Sequence, residues 1–260
     1  MREFFGFGGF NRPAEGFLSW QHLTFVSSLM VVMVLLAWFF GRRNRNKDLA
    51  QKNTTLMVAA IAIDALELSK IIIFCIRAQD PWGWLTELPL FLCSIQLITI
   101  PLAAFSKGRV KNASLDFVFI FGILGAVLGT YGAGNNYGSY PVLCFDNVNS
   151  GLTHCISGFA SLYIFFSHME SMKRRNFPVV CGILVAFCIM ASVANYLLDY
   201  NYMFLVRGDG TPYDIAYNLV NGHPVFYPMI VIGLFFLYIG LFYGVYAIIK
   251  KARLRRKRAL

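Results

Sequence analysis

The chain has 260 residues, of which 57% are hydrophobic and 14% are charged, and its mean hydropathy is +0.58. A soluble domain carries about 25% charged residues, so this composition excludes an ordinary soluble protein and predicts an all-α polytopic membrane protein. The net charge of +10 does not indicate a nucleic-acid partner, because the basic residues form short clusters between apolar runs, as orientation signals beside anionic lipid do.

Seven apolar segments approach or exceed the length of about 20 residues that a helix needs to cross a bilayer. In chain order they are 22–40, 54–76, 85–105, 113–133, 151–168, 177–198 and 225–249, and the fifth is the shortest. The sequence shows no internal repeat and no low-complexity linker. We therefore predict a single seven-helix transmembrane domain over residues 1–260.

Basic residues alternate between the two sets of connecting segments. Segments 41–53, 106–112 and 169–176 and the tail from residue 250 hold most of the 23 Lys and Arg residues. The opposite segments hold only Arg2, Arg12, Arg77 and Arg207. Because Lys and Arg are enriched in cytoplasmic segments, this pattern predicts an outside N-terminus and a cytoplasmic C-terminus, as in a multi-pass protein of the cell (plasma) membrane.

The second predicted helix carries ionisable residues at membrane depth. Glu67 and Lys70 are three residues apart, so they share a helical face and can pair. Such groups normally face the interior of the bundle. One interpretation is a structural ion pair, and the other is a polar lining that contacts a lipid headgroup or substrate. Lys70 is the stronger candidate for substrate contact because it lies nearer the predicted outer surface.

Further polar side chains gather in the same predicted outer half. Cys93 lies on the order of 10 Å below the outer end of the third helix, at ~1.5 Å per residue. His22 and His154 lie near the outer ends of the first and fifth helices, and Asn195 lies near that of the sixth. The fourth helix carries a G-x-x-x-G spacing at residues 125 and 129, which allows close helix packing.

A Cys–His pair in this position has a defined chemistry. A thiol attacks as thiolate and needs a base or a positive charge nearby; His154 would be the base, and Lys70 could add a favourable field. Such a pair supports covalent acyl transfer, and at this depth Cys93 would meet the ester region of a phospholipid. On residues alone, a cysteine in a membrane helix is more often a small packing residue.

The sequence predicts no metal site and no cofactor. The six cysteines include no C-x-x-C pair, and His22, His154 and His223 share no ligand spacing on one helix. The predicted outward location of the site also argues against acyl-CoA, which is cytoplasmic.

Several runs resemble a known family. The run Glu87–Ser94 resembles the Leu-Pro-Leu-His-Leu-Cys signature of the bacterial YwaF-type integral membrane proteins, with Phe91 in place of the usual histidine. The run Asn201–Leu205 with the following Pro212 is similar to their Asn-Tyr-Met-x-Leu…Pro element. Phe17–Gln21 and the Asn-x4-His region ending at His154 also resemble this family, so the resemblance covers nearly the whole chain.

The resemblance implies an activity. The same superfamily includes an animal transmembrane acyltransferase of ether phospholipids that uses a membrane cysteine and a histidine. More distant relatives hydrolyse fatty-acid esters of hydroxy fatty acids with a threonine–histidine pair. Carried over to this chain, the resemblance implies Cys93 as the nucleophile and His154 as the general base and acid. It also implies Lys70 and Asn201 as polar supports.

We therefore expect an integral-membrane lipid acyltransferase or transacylase that acts on phospholipid acyl esters through an acyl-thioester on Cys93. Hydrolysis by the same pair is a variant in which water replaces the acceptor.

A non-catalytic binder or transporter is the alternative, with Glu67, Lys70 and the histidines forming a pocket for a small solute or lipid. The chain shows no inverted repeat of the kind that many transporters carry. A receptor or structural subunit is supported by the helix count alone. The expected partners are membrane phospholipids, and no soluble protein partner is predicted.

Overall fold

Helices make up the regular structure of this chain, as its composition predicts. The computed structural model describes residues 1–258, and the side chains of residues 1–252. Within that part of the chain the regular elements are nine α-helices and three short 3₁₀ helices, and no strand occurs. The predicted all-α class is therefore confirmed for the described residues.

The chain divides into two compact units, Met1–Ser171 and Met172–Leu260. The first contains α1 (Trp20–Asn44), α2 (Leu49–Ala78), α3 (Gln96–Phe105), α4 (Gly108–Tyr131), α5 (Gly134–Ser139) and α6 (Phe145–Ser167). The second contains α7 (Phe177–Leu198), α8 (Tyr213–Leu219) and α9 (Phe226–Arg258). That these residues form one domain stays a prediction.

Four helical stretches are long and apolar enough to cross a membrane. They are Trp20–Asn44, Gly108–Ser139, Arg174–Leu198 and Phe226–Ala252, and they match the predicted first, fourth, sixth and seventh spans. The chain is thus a membrane protein with several apolar helices. Helices α2 and α6 are also long, with 30 and 23 residues, but they carry more charged or amide side chains. Seven spans and an outside N-terminus stay predictions.

The third predicted span differs most from the structure. One helix is predicted over 85–105, whereas the structure has a 3₁₀ helix at Gly83–Glu87 and an α-helix only from Gln96. Pro89 is the physical reason, because a proline disfavours helical backbone in the residue before it; Leu88 is extended, with φ −60° and ψ 144°. The first half of the predicted helix is wrong, and Cys93 lies in the turn that precedes α3.

Helix α4 is the central helix of the first unit. Its residues are buried without a break from Ala113 to Gly122. A Cβ atom at Gly122 would lie 2.6 Å from the carbonyl oxygen of Ser157 on α6, so only glycine allows the two backbones to approach this closely. Ser161 also donates a hydrogen bond to the Phe119 carbonyl at 2.8 Å. These contacts fix α6 on one side of α4.

Lys111 fixes α3 on the same central helix. Its Nζ donates to the Ala103 carbonyl at 2.7 Å and to Asn53 Oδ1 at 2.6 Å, so it satisfies a carbonyl that the end of α3 leaves without a helical partner. Ala103 is near the end of α3 and Lys111 is near the start of α4. Cys93, just before α3, contacts Gly125 toward the other end of α4, so the two helices run antiparallel.

Residues 1–19, which we call the N-terminal cap, pack on the end of the first unit where α1 begins. The Phe145 N–H donates to the Phe4 carbonyl at 2.8 Å. The Val142 N–H donates to Glu15 Oε2 at 2.7 Å. The cap is thus hydrogen-bonded to the segment that leads into α6 and to its first residue.

An ion pair joins α2 to α6 beneath the cap. Arg77, at the end of α2, donates two hydrogen bonds to the Asp146 carboxylate on the first turn of α6, at 2.7 and 2.8 Å. It donates a third to the Phe5 carbonyl of the cap at 3.3 Å. The hydrogen bond to Asp146 raises the pKa of the Arg77 guanidinium. One arginine therefore holds two helices and the cap together.

Candidate active site

Cys93 lies in the turn before α3 and contacts α4. A Cβ atom placed on Gly125 would lie 3.5 Å from the Cβ of Cys93, which is ordinary van der Waals contact. The Cys93 sulfur is 4.0 Å from the Ser94 hydroxyl oxygen. Because the chain is not α-helical here, the thiol lies just before the start of α3 and not on the side of a continuous helix.

His154 lies on α6 and contacts the same helix one turn away. A Cβ atom on Gly129 would overlap the His154 imidazole, and its three nearest atoms would all be ring atoms. Residues 125 and 129 are one turn apart on α4, which is a rise of about 6 Å. Cys93 and the His154 imidazole thus lie against neighbouring turns of one face of α4. The two glycines of that face leave room for both side chains.

The side chains of Cys93 and His154 are both partly buried. Protein atoms surround each of them closely enough to strip most of its hydration, yet both retain part of their accessible surface. Phe91, which replaces the histidine of the bacterial signature, is also partly accessible.

Lys70 carries the positive charge that acts on this pair. Its ammonium exerts an electrostatic effect on both Cys93 and His154. It is bound to Glu67 Oε1 at 2.7 Å and to Glu87 Oε2 at 2.9 Å. The Glu67–Lys70 pair is the one that the spacing on α2 predicts. Glu87 adds a carboxylate from the 3₁₀ helix, so the cluster carries two negative charges and one positive charge.

The described residues include no group of three or more His, Cys, Asp or Glu side chains able to hold a metal ion. The six cysteines are all free thiols. Burial raises the pKa of the Cys144 thiol, which keeps that thiol protonated and unreactive.

The sequence profile of the TMEM164 family matches residues 17–249. The chain belongs to the TMEM164 family. Neither a curated protein nor a solved structure matches it. All the candidate site residues fall within the part matched to the TMEM164 family, whereas most of the N-terminal cap precedes it.

His22 contributes to the fold of this TMEM164-family member. The Leu18 N–H donates to Nδ1 at 3.1 Å, so the hydrogen is on Nε2, which donates to the Thr130 carbonyl at 3.1 Å. The ring stacks on Tyr137 with centroids 3.9 Å apart, and the side chain is fully buried. Both ring nitrogens are thus occupied, and substrate contact by His22 stays a prediction.

Asn195 and Asn201 lie in the second unit, where they organise the loop after α7. Asn195 exchanges two hydrogen bonds with the backbone of Tyr202. Asn201 donates to the Arg207 carbonyl and to Asp209 Oδ2, and it accepts from the N–H groups of Val206 and Arg207. Each amide thus holds a local turn. Substrate contact by either residue stays a prediction.

Three features of the site are missing from the sequence prediction. Glu87 was part of the recognised run, but its pairing with Lys70 depends on a 3₁₀ helix that the pattern did not indicate. Gly125 and Gly129 were read as a helix-packing motif, whereas they also receive Cys93 and His154. The G-x-x-x-G spacing was the available signal, since small residues leave room for a side chain as well as for a helix.

Proposed function

We propose that this TMEM164-family member is an integral-membrane lipid acyltransferase, in which Cys93 is the nucleophile and His154 is the general base and acid. The observation that supports this best is the position of the two side chains against neighbouring turns of α4. That spacing brings a thiol and an imidazole, from a turn and a helix distant in sequence, into the same region of the bundle.

The first half-reaction would transfer an acyl group to the enzyme. His154 takes the proton of the Cys93 thiol, and the sulfur attacks the carbonyl carbon of a lipid ester to form a tetrahedral oxyanion. The oxyanion collapses, the bond from carbon to the alcohol oxygen breaks, and His154 returns its proton to that alcohol. The products are a lysolipid and an acyl-thioester on Cys93.

The second half-reaction would reverse this chemistry with another alcohol. The acceptor hydroxyl gives its proton to His154 and attacks the thioester carbonyl carbon. The carbon–sulfur bond then breaks, and the Cys93 thiolate recovers the proton from His154. Water in place of the acceptor hydroxyl gives hydrolysis, so one pair of residues accounts for both transfer and hydrolysis.

Phospholipid acyl esters are the substrates that fit this setting. The site lies in a unit that contains two of the four long apolar helical stretches, and a soluble ester would have to leave water to reach it. The resemblance to a transmembrane acyltransferase of ether phospholipids supports the same substrate class. The predicted outside N-terminus would place the site in the outer leaflet of the cell membrane.

The charged cluster has a supporting role in this proposal. A positive charge near a thiol stabilises the thiolate, and Lys70 is the charge that acts on Cys93. Glu67 and Glu87 hold the ammonium in place, at 2.7 and 2.9 Å. We therefore propose that Lys70 assists the nucleophile and that Glu67 contributes to the polar lining of the site.

The test uses the full chain in lipid nanodiscs, with a labelled phospholipid as donor and a lysophospholipid as acceptor. We expect acyl transfer, together with an acyl adduct on Cys93 that hydroxylamine removes. Cys93→Ala and His154→Gln should abolish both. Cys155→Ala is the matched control, because Cys155 is adjacent to His154 in sequence but packs in a separate apolar cluster with Met33 and Ala126.

Retained transfer in Cys93→Ala would contradict the proposal, as would an adduct on another residue. Release of free fatty acid in place of acyl transfer, with the same dependence on Cys93 and His154, would assign hydrolysis to this site.

A further inference from the structure

Gln96 is a buried amide with an unused donor. It is the first residue of α3, and its side chain is 0% exposed. Its Oε1 accepts a hydrogen bond from the Thr99 hydroxyl at 3.2 Å. Its Nε2 has no hydrogen-bond partner among the residues that the structure describes. A buried donor without a partner is costly, so this amide group is expected to serve a ligand.

The position of Gln96 relates it to Cys93. The buried residues of α3 form one stripe that begins with Gln96 and continues with Thr99 and Ile100. Cys93 is three residues earlier, the Gln96 N–H donates to the Cys93 carbonyl at 3.3 Å, and Cys93 contacts α4 at Gly125. Gln96 therefore lies one turn beyond the nucleophile.

The antiparallel helices set the order of the three groups along α4. Residue numbers on α4 rise toward His154, which lies against Gly129, while Cys93 lies against Gly125. Residue numbers on α3 run in the opposite direction, so Gln96 faces the turn of α4 that precedes Gly125. From the C-terminal end of α4 toward its start, the order is thus the His154 imidazole, the Cys93 thiol and the Gln96 carboxamide.

Backbone donors also lie close to the thiol. The N–H groups of Cys93 and Ser94 are next to the Cys93 sulfur. These N–H groups come just before the first turn of α3, where backbone donors are free of helical partners. Donors at such a place stabilise negative charge that develops near the nucleophile.

We propose that Gln96 Nε2 and the N–H groups of Cys93 and Ser94 form an oxyanion hole for acyl transfer to Cys93. This inference rests on the proposed function. When the sulfur attacks, the electron pair of the carbonyl double bond moves to the oxygen, and that oxygen accepts hydrogen bonds from these donors. The leaving alcohol lies on the opposite side, toward His154, which gives it the proton. The ester thus binds with its carbonyl oxygen toward Gln96 and its alcohol toward His154.

The test compares two reactions of the same thiol. Acylation by a phospholipid passes through an oxyanion, whereas alkylation by iodoacetamide is a displacement that forms none. In the full chain in nanodiscs, Gln96→Met should lower the rate of Cys93 acylation by about 10²–10³-fold. Its rate of alkylation should stay at the wild-type value. His154→Gln should lower both rates, because it removes the base.

Thr99→Val is the matched control, since it removes the hydrogen-bond partner of Gln96 Oε1 but leaves Nε2 in place. Acylation of Cys93 in this variant should proceed at the wild-type rate.

Gln96→Leu gives a second measurement if Gln96→Met does not fold, because it removes both donors and adds no charge beside the thiol. Wild-type acylation in the Gln96 variants, while Cys93→Ala is inactive, would overturn the oxyanion role and leave the proposed function intact. Loss of alkylation together with acylation would also overturn it, since Gln96 would then only shape the site. Activity that survives in Cys93→Ala would instead reject the proposed function itself.

Discussion

The two glycines of α4 provide a matched pair of substitutions that tests the site directly. Gly129→Ala places a methyl group in the space of the His154 imidazole, with all three nearest atoms in that ring. Gly125→Ala places the same group one turn away, at 3.5 Å from the Cβ of Cys93. The first is an overlap and the second is an ordinary contact. The two variants therefore differ in what they do to the site and not in what they do to the helix.

The magnitude follows from the geometry. Alanine in place of glycine favours a helix by roughly 0.5–1 kcal/mol at either position, so this contribution cancels between the two variants. Ordinary contact with a Cβ atom begins at 3.4 Å, and the His154 ring would have to retreat on the order of 1 Å to restore it. A misplacement of that size costs about 10²-fold in rate, or about 2.7 kcal/mol in the barrier.

The assay is the initial rate of acyl transfer in nanodiscs, together with the melting temperature in detergent. We expect Gly129→Ala to lose about two orders of magnitude in rate while it melts near the wild-type temperature. Gly125→Ala should keep most of its activity. Equal activity in the two variants, while His154→Gln is inactive, would refute the reasoning that Gly129 positions the imidazole.

Three further substitutions test the surroundings of the site. Lys70→Met leaves two carboxylates without their partner and should cost about 1–3 kcal/mol of stability after allowance for partial exposure. Replacing Glu67 and Glu87 with glutamine in the same variant should recover most of the lost melting temperature. No recovery would contradict this account. Asp146→Asn weakens a charge-assisted pair of hydrogen bonds and should cost about 1–3 kcal/mol of stability. The loss is measured as a lower melting temperature. Glu3→Gln, at an exposed carboxylate, is the control and should not lower it. Because burial raises the pKa of the Cys144 thiol, that thiol should resist iodoacetamide from pH 7 to about 9, and rapid labelling seen by peptide mass spectrometry would show that it is exposed.

The sequence predicted the class of protein, but not the break in the third span. Four of the predicted spans match apolar helices because about 20 apolar residues have few other stable solutions in lipid. The run from residue 85 to 105 is just as apolar, yet Pro89 prevents helix formation through Leu88. A proline at that position was visible in the sequence, and its effect on the backbone before it was underestimated.

The candidate site was predicted in part for a similar reason. The spacing of Glu67 and Lys70 on α2 is local, so helical periodicity was sufficient to pair them. The partnership of Lys70 with Glu87 depends on how two elements pack, which one helical period cannot show. His22 was grouped with the site by depth alone. Depth does not distinguish a histidine that lines a cavity from one whose two nitrogens bind Leu18 and Thr130.

The break before α3 is the feature that makes the proposed chemistry feasible. A cysteine inside a continuous helix has its backbone N–H bonded to a carbonyl four residues earlier, so it cannot offer that donor to an oxyanion. Pro89 keeps Leu88 extended, and α3 begins only at Gln96, so the N–H groups of Cys93 and Ser94 lie near the sulfur just before the start of a helix. The glycines of α4 leave room for Cys93 and His154 one turn apart. In the proposed mechanism, a helix break and a glycine face would thus supply the donors and the base that acyl transfer to a cysteine requires.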